Sequence, residues 1–166
     1  MAGSTFEKTV QRYAAEQQKR ENAVNWAERK TWWQGKVTEL LTQIEGWLDP
    51  LIKSKSVNFI RSTISINEES LGSYEVESGV IQLGRAMLRV KPVGSVIIGG
   101  FGRVDVEGPR EAVMLILCTP EIAVPDEHRR ENAKWYISRP NLRRELRPLT
   151  QANFEQIFTD LFGIEG

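Results

Sequence analysis

Residues 60–66, Ile-Arg-Ser-Thr-Ile-Ser-Ile, decide the fold class, because the spacing of hydrophobic residues changes here. Ile60, Ile64 and Ile66 alternate with polar residues, which is typical of a β-strand with one face in water. Before Lys55 the apolar residues recur instead at intervals of three and four, which is typical of helices. The chain therefore changes from helix to sheet near residue 56.

Two helical segments are predicted upstream of that point. Residues 5–30 are rich in good helix formers and carry a thin apolar stripe: Phe6, Val10, Tyr13, Val24 and Ala27. From Trp33 the stripe thickens and must be buried. Helix propensity alone fits either one long helix or two; we expect two segments that meet with a bend near residues 32–35. We expect the second to end near Trp47, because a proline after Asp49 disfavours helical backbone.

Downstream, short strands alternate with turns and lead to a last helix. Strands are predicted at residues 73–77, 80–90, 95–107, 112–118 and 133–138, and their mostly short connections favour antiparallel hairpins. Thr150 is a suitable N-cap for the last helix, Leu149 and Phe154 occupy the positions of a hydrophobic staple, and Gly163 suits its end. The helix is amphipathic, so we expect it to pack on the sheet.

These elements predict one α+β domain over residues 1–166. It consists of an N-terminal helical arm or helix pair at 1–50, an antiparallel meander of about six strands at 56–147, and a C-terminal amphipathic helix at 150–163. The order of elements resembles that of a pleckstrin-homology-type barrel with an added N-terminal arm. That resemblance implies a half-barrel, whereas an open sheet with helices on one face fits the same pattern.

Composition excludes several classes of site. Lys plus Arg and Asp plus Glu number 22 each, so any nucleic-acid binding must be local. With only Cys118 and His128, neither an intramolecular disulfide nor a structural zinc site of several Cys and His ligands can form. We expect Cys118 to be buried and inert, His128 to be exposed, and no metal or cofactor to be bound. The chain offers no apolar signal core or membrane span, so we expect a cytoplasmic protein.

The glycine-rich stretch at residues 94–103 is not a phosphate-binding loop. It lacks the Gly-Lys-Ser/Thr ending, and a strand rather than a helix is predicted to follow. We expect Gly99, Gly100 and Gly102 to allow a bulge or the close approach of another backbone.

A charge asymmetry and a tryptophan cluster indicate two candidate partner-binding regions. Residues 128–148 carry seven basic residues against two glutamates, in a chain with no net charge. Arginines interleaved with aromatics can dock on an acidic protein surface or grip phosphates. We single out Arg139, Arg143 and Arg144. Trp26, Trp32 and Trp33 fall within eight residues of a polar helix, too many for one narrow buried stripe. At least one is expected to face outward, which favours self-association or partner contact through Trp26 and Trp32.

A polar pocket on the sheet is a third candidate. Arg103 and Asp105 are two residues apart and so face the same side of a strand, as do Arg85 and Arg89. Such a cluster could hold an anionic ligand beside a general base, with Arg85, Arg103 and Asp105 as its residues. Cross-strand ion pairs would explain the same pattern.

From these observations we expect a non-enzymatic protein-binding or regulatory module that docks through its N-terminal arm and its arginine-rich segment. Its partner is expected to be another protein or a second copy. One alternative is a nucleic-acid-associated protein using residues 129–147, a segment that begins with Arg129 and ends with Arg147. The other is a small enzyme or ligand-binding protein with its pocket at Arg103 and Asp105.

Overall fold

The computed structural model describes residues 4–22, 24–121, 126–139 and 145–165. Within these ranges the helices are α1 (Thr5–Asn22), α2 (Trp26–Lys53) and α3 (Gln151–Phe162), with a short 3-10 helix at Glu127–Asn132. The strands are β1 (Asn58–Glu68), β2 (Gly72–Leu83), β3 (Ala86–Gly94), β4 (Gly102–Glu107), β5 (Ala112–Cys118), β6 (Lys134–Ser138) and β7 (Arg147–Pro148).

The seven strands of the described residues form one antiparallel sheet in chain order. Each strand pairs with its neighbour along the chain, as expected where the connections are short. β1 and β7 are the two edges, so these strands make an open sheet rather than a closed barrel. The predicted α+β architecture, with a helix pair before the sheet and a helix after it, is confirmed.

α2 covers the sheet with the thick apolar stripe that the sequence displays. Its stripe side chains are almost fully buried: Trp33, Val37, Leu40, Leu41, Ile44 and Leu48. Each such side chain contributes about 1.5–3 kcal/mol through burial. Trp33 packs directly on the backbone of β4, where a Cβ atom at Gly102 would collide with the indole ring. The neighbour at Gly102 is thus a side chain, whereas the predicted close approach of another backbone is found at Gly100, where a Cβ atom would lie 2.9 Å from the carbonyl oxygen of Leu117.

Two predicted strands have different limits in the structure. The predicted strand at 80–90 is divided into β2 and β3 by a turn at Gly84, whose φ of 61° suits glycine. Residues 95–101 form a loop instead of the first half of a strand, and β4 begins at Gly102. Gly99 in this loop has a φ of 80°, which interrupts an extended strand.

The prediction of two N-terminal helices is confirmed, but the predicted position of their junction is wrong. The junction lies just before α2, where the side chain of Asn25 caps the helix and accepts a hydrogen bond from the Glu28 N–H at 3.1 Å. Residues 32–35 continue the helix without a bend at Gly35. The burial of Trp33 outweighs the cost of about 1 kcal/mol for a glycine in a helix.

The expectation that the second helix ends near Trp47 is also wrong. α2 continues to Lys53 with Pro50 inside it. Proline removes its own N–H donor, but its carbonyl still accepts, and Ser54 N donates to Pro50 O at 3.1 Å. The buried Leu48 holds this last part of the helix on the sheet.

α3 has the ends that the sequence predicts. Thr150 Oγ1 accepts from the N–H of Asn153 at 3.1 Å, and Gly163 ends the helix at a φ of 69°. The ring of Phe154 packs on Trp47 of α2 at a centroid distance of 5.3 Å. α2 and α3 thus contribute to one core with the sheet, and this core leaves α1 outside.

Candidate interaction surfaces

α1 presents an apolar stripe to solvent. Phe6, Val10 and Tyr13, here called the arm stripe, are 76%, 49% and 63% exposed. Their spacing of four and three places them on one side of the helix. Among the side chains that the structure describes, none from α1 belongs to the core. Because these apolar side chains are exposed and lie outside the core, the arm stripe is a surface that a partner can cover. A helix of 18 residues is only marginally stable alone in water, so such a partner would also stabilise α1.

The charges of α1 are sorted around the arm stripe. At 100° per residue, Glu7 and Glu16 flank the stripe, one on each side. Lys8, Arg12 and Lys19 lie on the opposite half of the helix. The surface that α1 offers is therefore an apolar strip with acidic borders.

A groove lies between α2 and the β6–β7 edge of the sheet. We call it the α2 groove; its volume is about 790 Å³, and its apolar lining includes Leu40, Leu117, Trp135 and Leu149. Residues 36–43 of α2 supply one wall. Trp135 forms part of the opposite wall and packs on Trp33 with a centroid distance of 6.0 Å. The groove is thus an apolar depression built on the core.

The α2 groove carries two lysines. Lys36 on α2 and Lys134 on β6 both line it. Lys36 also pairs with Glu39 one turn further along α2, with 3.3 Å between Nζ and Oε2. Lys134 is exposed at the beginning of β6. The groove therefore offers cations beside its apolar lining.

Trp26 and Trp32, the predicted partner-binding tryptophans, are partly buried and pack against the core. The ring of Trp32 contacts Phe101 edge-on at 6.0 Å and lies 5.7 Å from the guanidinium of Arg29. Arg130 stands at 5.4 Å from the same ring. Trp32 thus has several partners within its own domain and leaves only part of its surface for another molecule.

Arg29 forms a buried cluster that the sequence did not suggest. Its side chain is buried on the core face of α2 and donates to Ser95 Oγ at 2.8 Å, Ser95 O at 2.9 Å and Phe101 O at 3.1 Å. It also forms an ion pair with Glu127. Burial, with repulsion from Arg130, lowers the pKa of Arg29 to about 10, so it remains a cation at neutral pH.

The same loop is held from its other side by Glu68. The Glu68 carboxylate accepts from the N–H groups of Ser95 and Val96, each at 2.9 Å, and from the hydroxyl of Tyr74. Burial and the hydrogen bond to Glu68 raise the pKa of Tyr74. Arg29 and Glu68 together fix the base of the 95–101 loop, while Ile98 at its tip is fully exposed.

The arginine-rich segment is largely paired within the domain where the structure describes it. Arg130 forms an ion pair with Glu28 at 2.7 Å, and Arg139 with Asp160 of α3 at 2.6 Å. Arg147 is exposed in β7. The remaining two predicted partner-binding residues, Arg143 and Arg144, lie outside the described residues.

The residues of the predicted polar pocket are only partly brought together. Arg103 and Asp105 form a two-pronged ion pair on β4, with distances of 2.7 Å and 2.9 Å, which raises the pKa of Arg103. Arg85 instead lines a shallow depression together with Glu107. Glu107 is four residues from Arg103 on β4, a distance of about 13 Å at 3.3 Å per residue. The structure therefore separates Arg85 from the other two.

The cysteine and the histidine lie as expected. Cys118 is buried at the end of β5, and this burial raises the pKa of its thiol to about 11. His128 is exposed in the 3-10 helix, where its backbone N–H donates to the Asp126 carboxylate. In the described ranges, no three His, Cys, Asp or Glu side chains are grouped closely enough to hold a metal ion. None of the described helices is long and apolar enough to cross a membrane.

Sequence reasoning missed Arg29 and the α2 groove for different reasons. Arg29 lies four residues before Trp33 and thus on the buried face of its helix, a signal that was available. The groove combines α2 with Leu117, Trp135 and Leu149, and only the strand order brings these residues together. Comparisons of the chain with protein-family models, with curated proteins and with solved structures find no match.

Proposed function

We propose that this chain is a non-enzymatic protein-binding module that docks through α1. The observation that carries this proposal is the exposed arm stripe of Phe6, Val10 and Tyr13 on a helix outside the core. Exposed apolar stripes of this kind mark interaction sites in water. We further propose that it acts in the cytoplasm, in keeping with its single, buried cysteine.

Recognition follows the helix-in-groove mode. A helix with anchors at positions i, i+4 and i+7 lays them into an apolar groove of its partner. Phe6, Val10 and Tyr13 have this spacing, and two of them are aromatic, the residue class that supplies much of the binding energy at interfaces.

The alternatives depend on other parts of the chain. Nucleic-acid binding would rest mainly on Arg143, Arg144 and Arg147, because Arg130 and Arg139 already form ion pairs with acidic residues. A ligand pocket at Arg103 would have to break the two-pronged pair with Asp105. Both remain predictions.

The proposal is tested by adding one charge to either side of α1. Val10→Glu places a carboxylate in the arm stripe, whereas Ala15→Glu places the same charge about 140° away. Glutamate is a good helix former, so neither change weakens the helix. We expect tagged Ala15→Glu to retain the proteins that the unchanged chain captures from its source lysate. Val10→Glu should reduce the captured amount of these proteins at least tenfold.

The captured proteins are identified and quantified by mass spectrometry, and circular dichroism confirms that both variants fold. Equal capture by Val10→Glu and the unchanged chain would remove α1 as the docking element. Capture that falls steeply with salt and disappears after nuclease treatment would instead support nucleic-acid binding.

A further inference from the structure

We propose that the α2 groove binds α1 of a second copy of this chain, so that two chains exchange arms and form a symmetric dimer. This inference rests on the proposed function, in which α1 is the docking element. It adds the receptor site and the identity of the partner.

The arm stripe and the groove have the same length. Phe6 and Tyr13 are seven residues apart, which is about 10.5 Å along a helix at 1.5 Å per residue. Residues 36–43, the α2 wall of the groove, span the same seven-residue interval. A cavity of about 790 Å³ is of the size that holds a few large side chains. The three anchors therefore fit the groove as one set.

The proposed exchange places α1 antiparallel to α2, with Val10 near residue 38 at the middle of the groove wall. Tyr13 then lies beside about residue 35 and Phe6 beside about residue 42. In this register the whole arm stripe lies along the α2 wall of the groove.

The connection between the helices favours a second copy over the chain's own arm. In the structure, the residue before α2 is an extended N-cap, Asn25, and the arm stripe remains exposed rather than lying in its own groove. Docking within one chain would require this connection to rearrange. Docking on a second chain keeps it as it is.

Charge complementarity supports the same occupant. Glu7 and Glu16 border the arm stripe, whereas the groove is lined by two lysines, Lys36 and Lys134, and by one acidic residue, Glu39. In the antiparallel register Glu16 lies within about one helical turn of Lys36. Lys8, Arg12 and Lys19 of α1 face away from the stripe, so they do not meet these lysines. An acidic-bordered helix is therefore a better occupant than a basic one.

The exchange buries a surface near the lower limit of stable dimers. Each buried aromatic side chain removes about 150–250 Å² from water, and the symmetric dimer buries Phe6 and Tyr13 twice. With the groove walls that they cover, the total approaches the lower end of the range of about 1,200–2,000 Å² found in stable interfaces.

The test is an interchain disulfide between arm and groove. One full-length chain carries Val10→Cys, a second carries Glu39→Cys, and the two are mixed under mild oxidation; the native Cys118 is buried. We expect a covalent dimer in this mixture, because Val10 lies close to Glu39 in the proposed register. Replacing Val10→Cys by Ala15→Cys should lower the yield at least tenfold, since residue 15 faces away from the groove.

Three outcomes would overturn the exchange. The first is a yield that is equal for Val10→Cys and Ala15→Cys. The second is a disulfide that forms only within single chains carrying both Val10→Cys and Glu39→Cys, which would show the arm on its own groove. The third is a monomer by light scattering up to millimolar concentration. If the third occurs while Val10→Glu still abolishes capture, the proposed function stands and only the choice of partner fails.

Discussion

Arg29 stands four residues before Trp33 on the buried face of α2, where a leucine would be the ordinary residue. It is retained as a charge because its guanidinium donates four hydrogen bonds: two backbone carbonyls and one hydroxyl of the 95–101 loop accept from it, and so does Glu127, which neutralises it. A buried charge without such partners would be strongly destabilising. At this position one side chain joins the helix layer to a loop of the sheet.

Removing this guanidinium should destabilise the whole domain. We predict that Arg29→Met lowers the free energy of unfolding by about 2–4 kcal/mol, because two carbonyls lose a buried donor and Glu127 keeps only Arg130 of its two counterions. Urea unfolding followed by tryptophan fluorescence measures the change. Arg12→Met, on the exposed side of α1, is the control and should change the value by less than about 0.5 kcal/mol. A similarly small change for Arg29→Met would contradict the role of Arg29 in holding the 95–101 loop on α2.

Two glycines give a matched pair of opposite predictions. Gly102→Ala should destabilise by about 1–3 kcal/mol, because its Cβ would collide with the buried Trp33 ring. Gly46→Ala should stabilise by about 0.5–1 kcal/mol, since Gly46 is exposed inside α2 with open space around its Cβ position. Thermal and urea unfolding of both variants decide the signs. Equal effects of the two substitutions would show that the Trp33 contact does not constrain β4.

At the level of elements, local signals predicted more than long-range ones. α3 was predicted with its Thr150 cap and its Gly163 end, because capping depends on neighbouring residues. The end of α2 was predicted too early, because the tendency of Pro50 to stop a helix is outweighed by tertiary packing around Leu48. The loop at 95–101 has strand-like composition, and its shape is imposed by Arg29 and Glu68, which are remote in sequence.

The link between β6 and α3 predicts a pH dependence. The hydrogen bond from Arg139 holds the pKa of Asp160 below its usual value of about 3.8, and the bond from Gln156 adds to this. A depressed folded-state pKa contributes stability that is present above the unfolded pKa and is lost as pH falls through the folded pKa. The pair is partly exposed, so its contribution is at most about 1 kcal/mol.

Asp160→Asn should therefore be less stable than the unchanged chain at pH 7, and this difference should shrink below about pH 3.9. Chemical unfolding from pH 7 to pH 3 measures it, with Glu155→Gln on the exposed side of α3 as control. A difference that stays constant across this range would contradict the ion-pair assignment, and Arg139 would then be free for a partner.

On the scale of the whole molecule, the chain consists of a packed body and a helical arm, α1, that lies outside the core. The body consists of α2, α3 and the sheet, which together supply the hydrophobic core. The arm stripe could be inferred from sequence, because three apolar residues in a long polar helix are too few for a core element. Its receptor could not, because the α2 groove exists only once β6 and β7 are placed beside α2.

The neutral overall charge of the chain bears on whether two copies can associate. With 22 acidic and 22 basic residues, two copies of the chain do not repel each other through net charge. Local charges then decide orientation, with the acidic borders of α1 meeting the lysines of the groove. Arm exchange between identical chains is consistent with both features.

The central claim, that α1 docks on a second copy of this chain, is tested most directly by hydrogen–deuterium exchange of residues 5–22 as a function of protein concentration. An undocked polar helix of this length opens readily and exchanges fast, whereas a docked one is protected. We predict that protection rises with concentration in the unchanged chain and in Ala15→Glu, and that Val10→Glu exchanges fast throughout. Protection that is independent of concentration, or fast exchange at every concentration in all three chains, would contradict the claim.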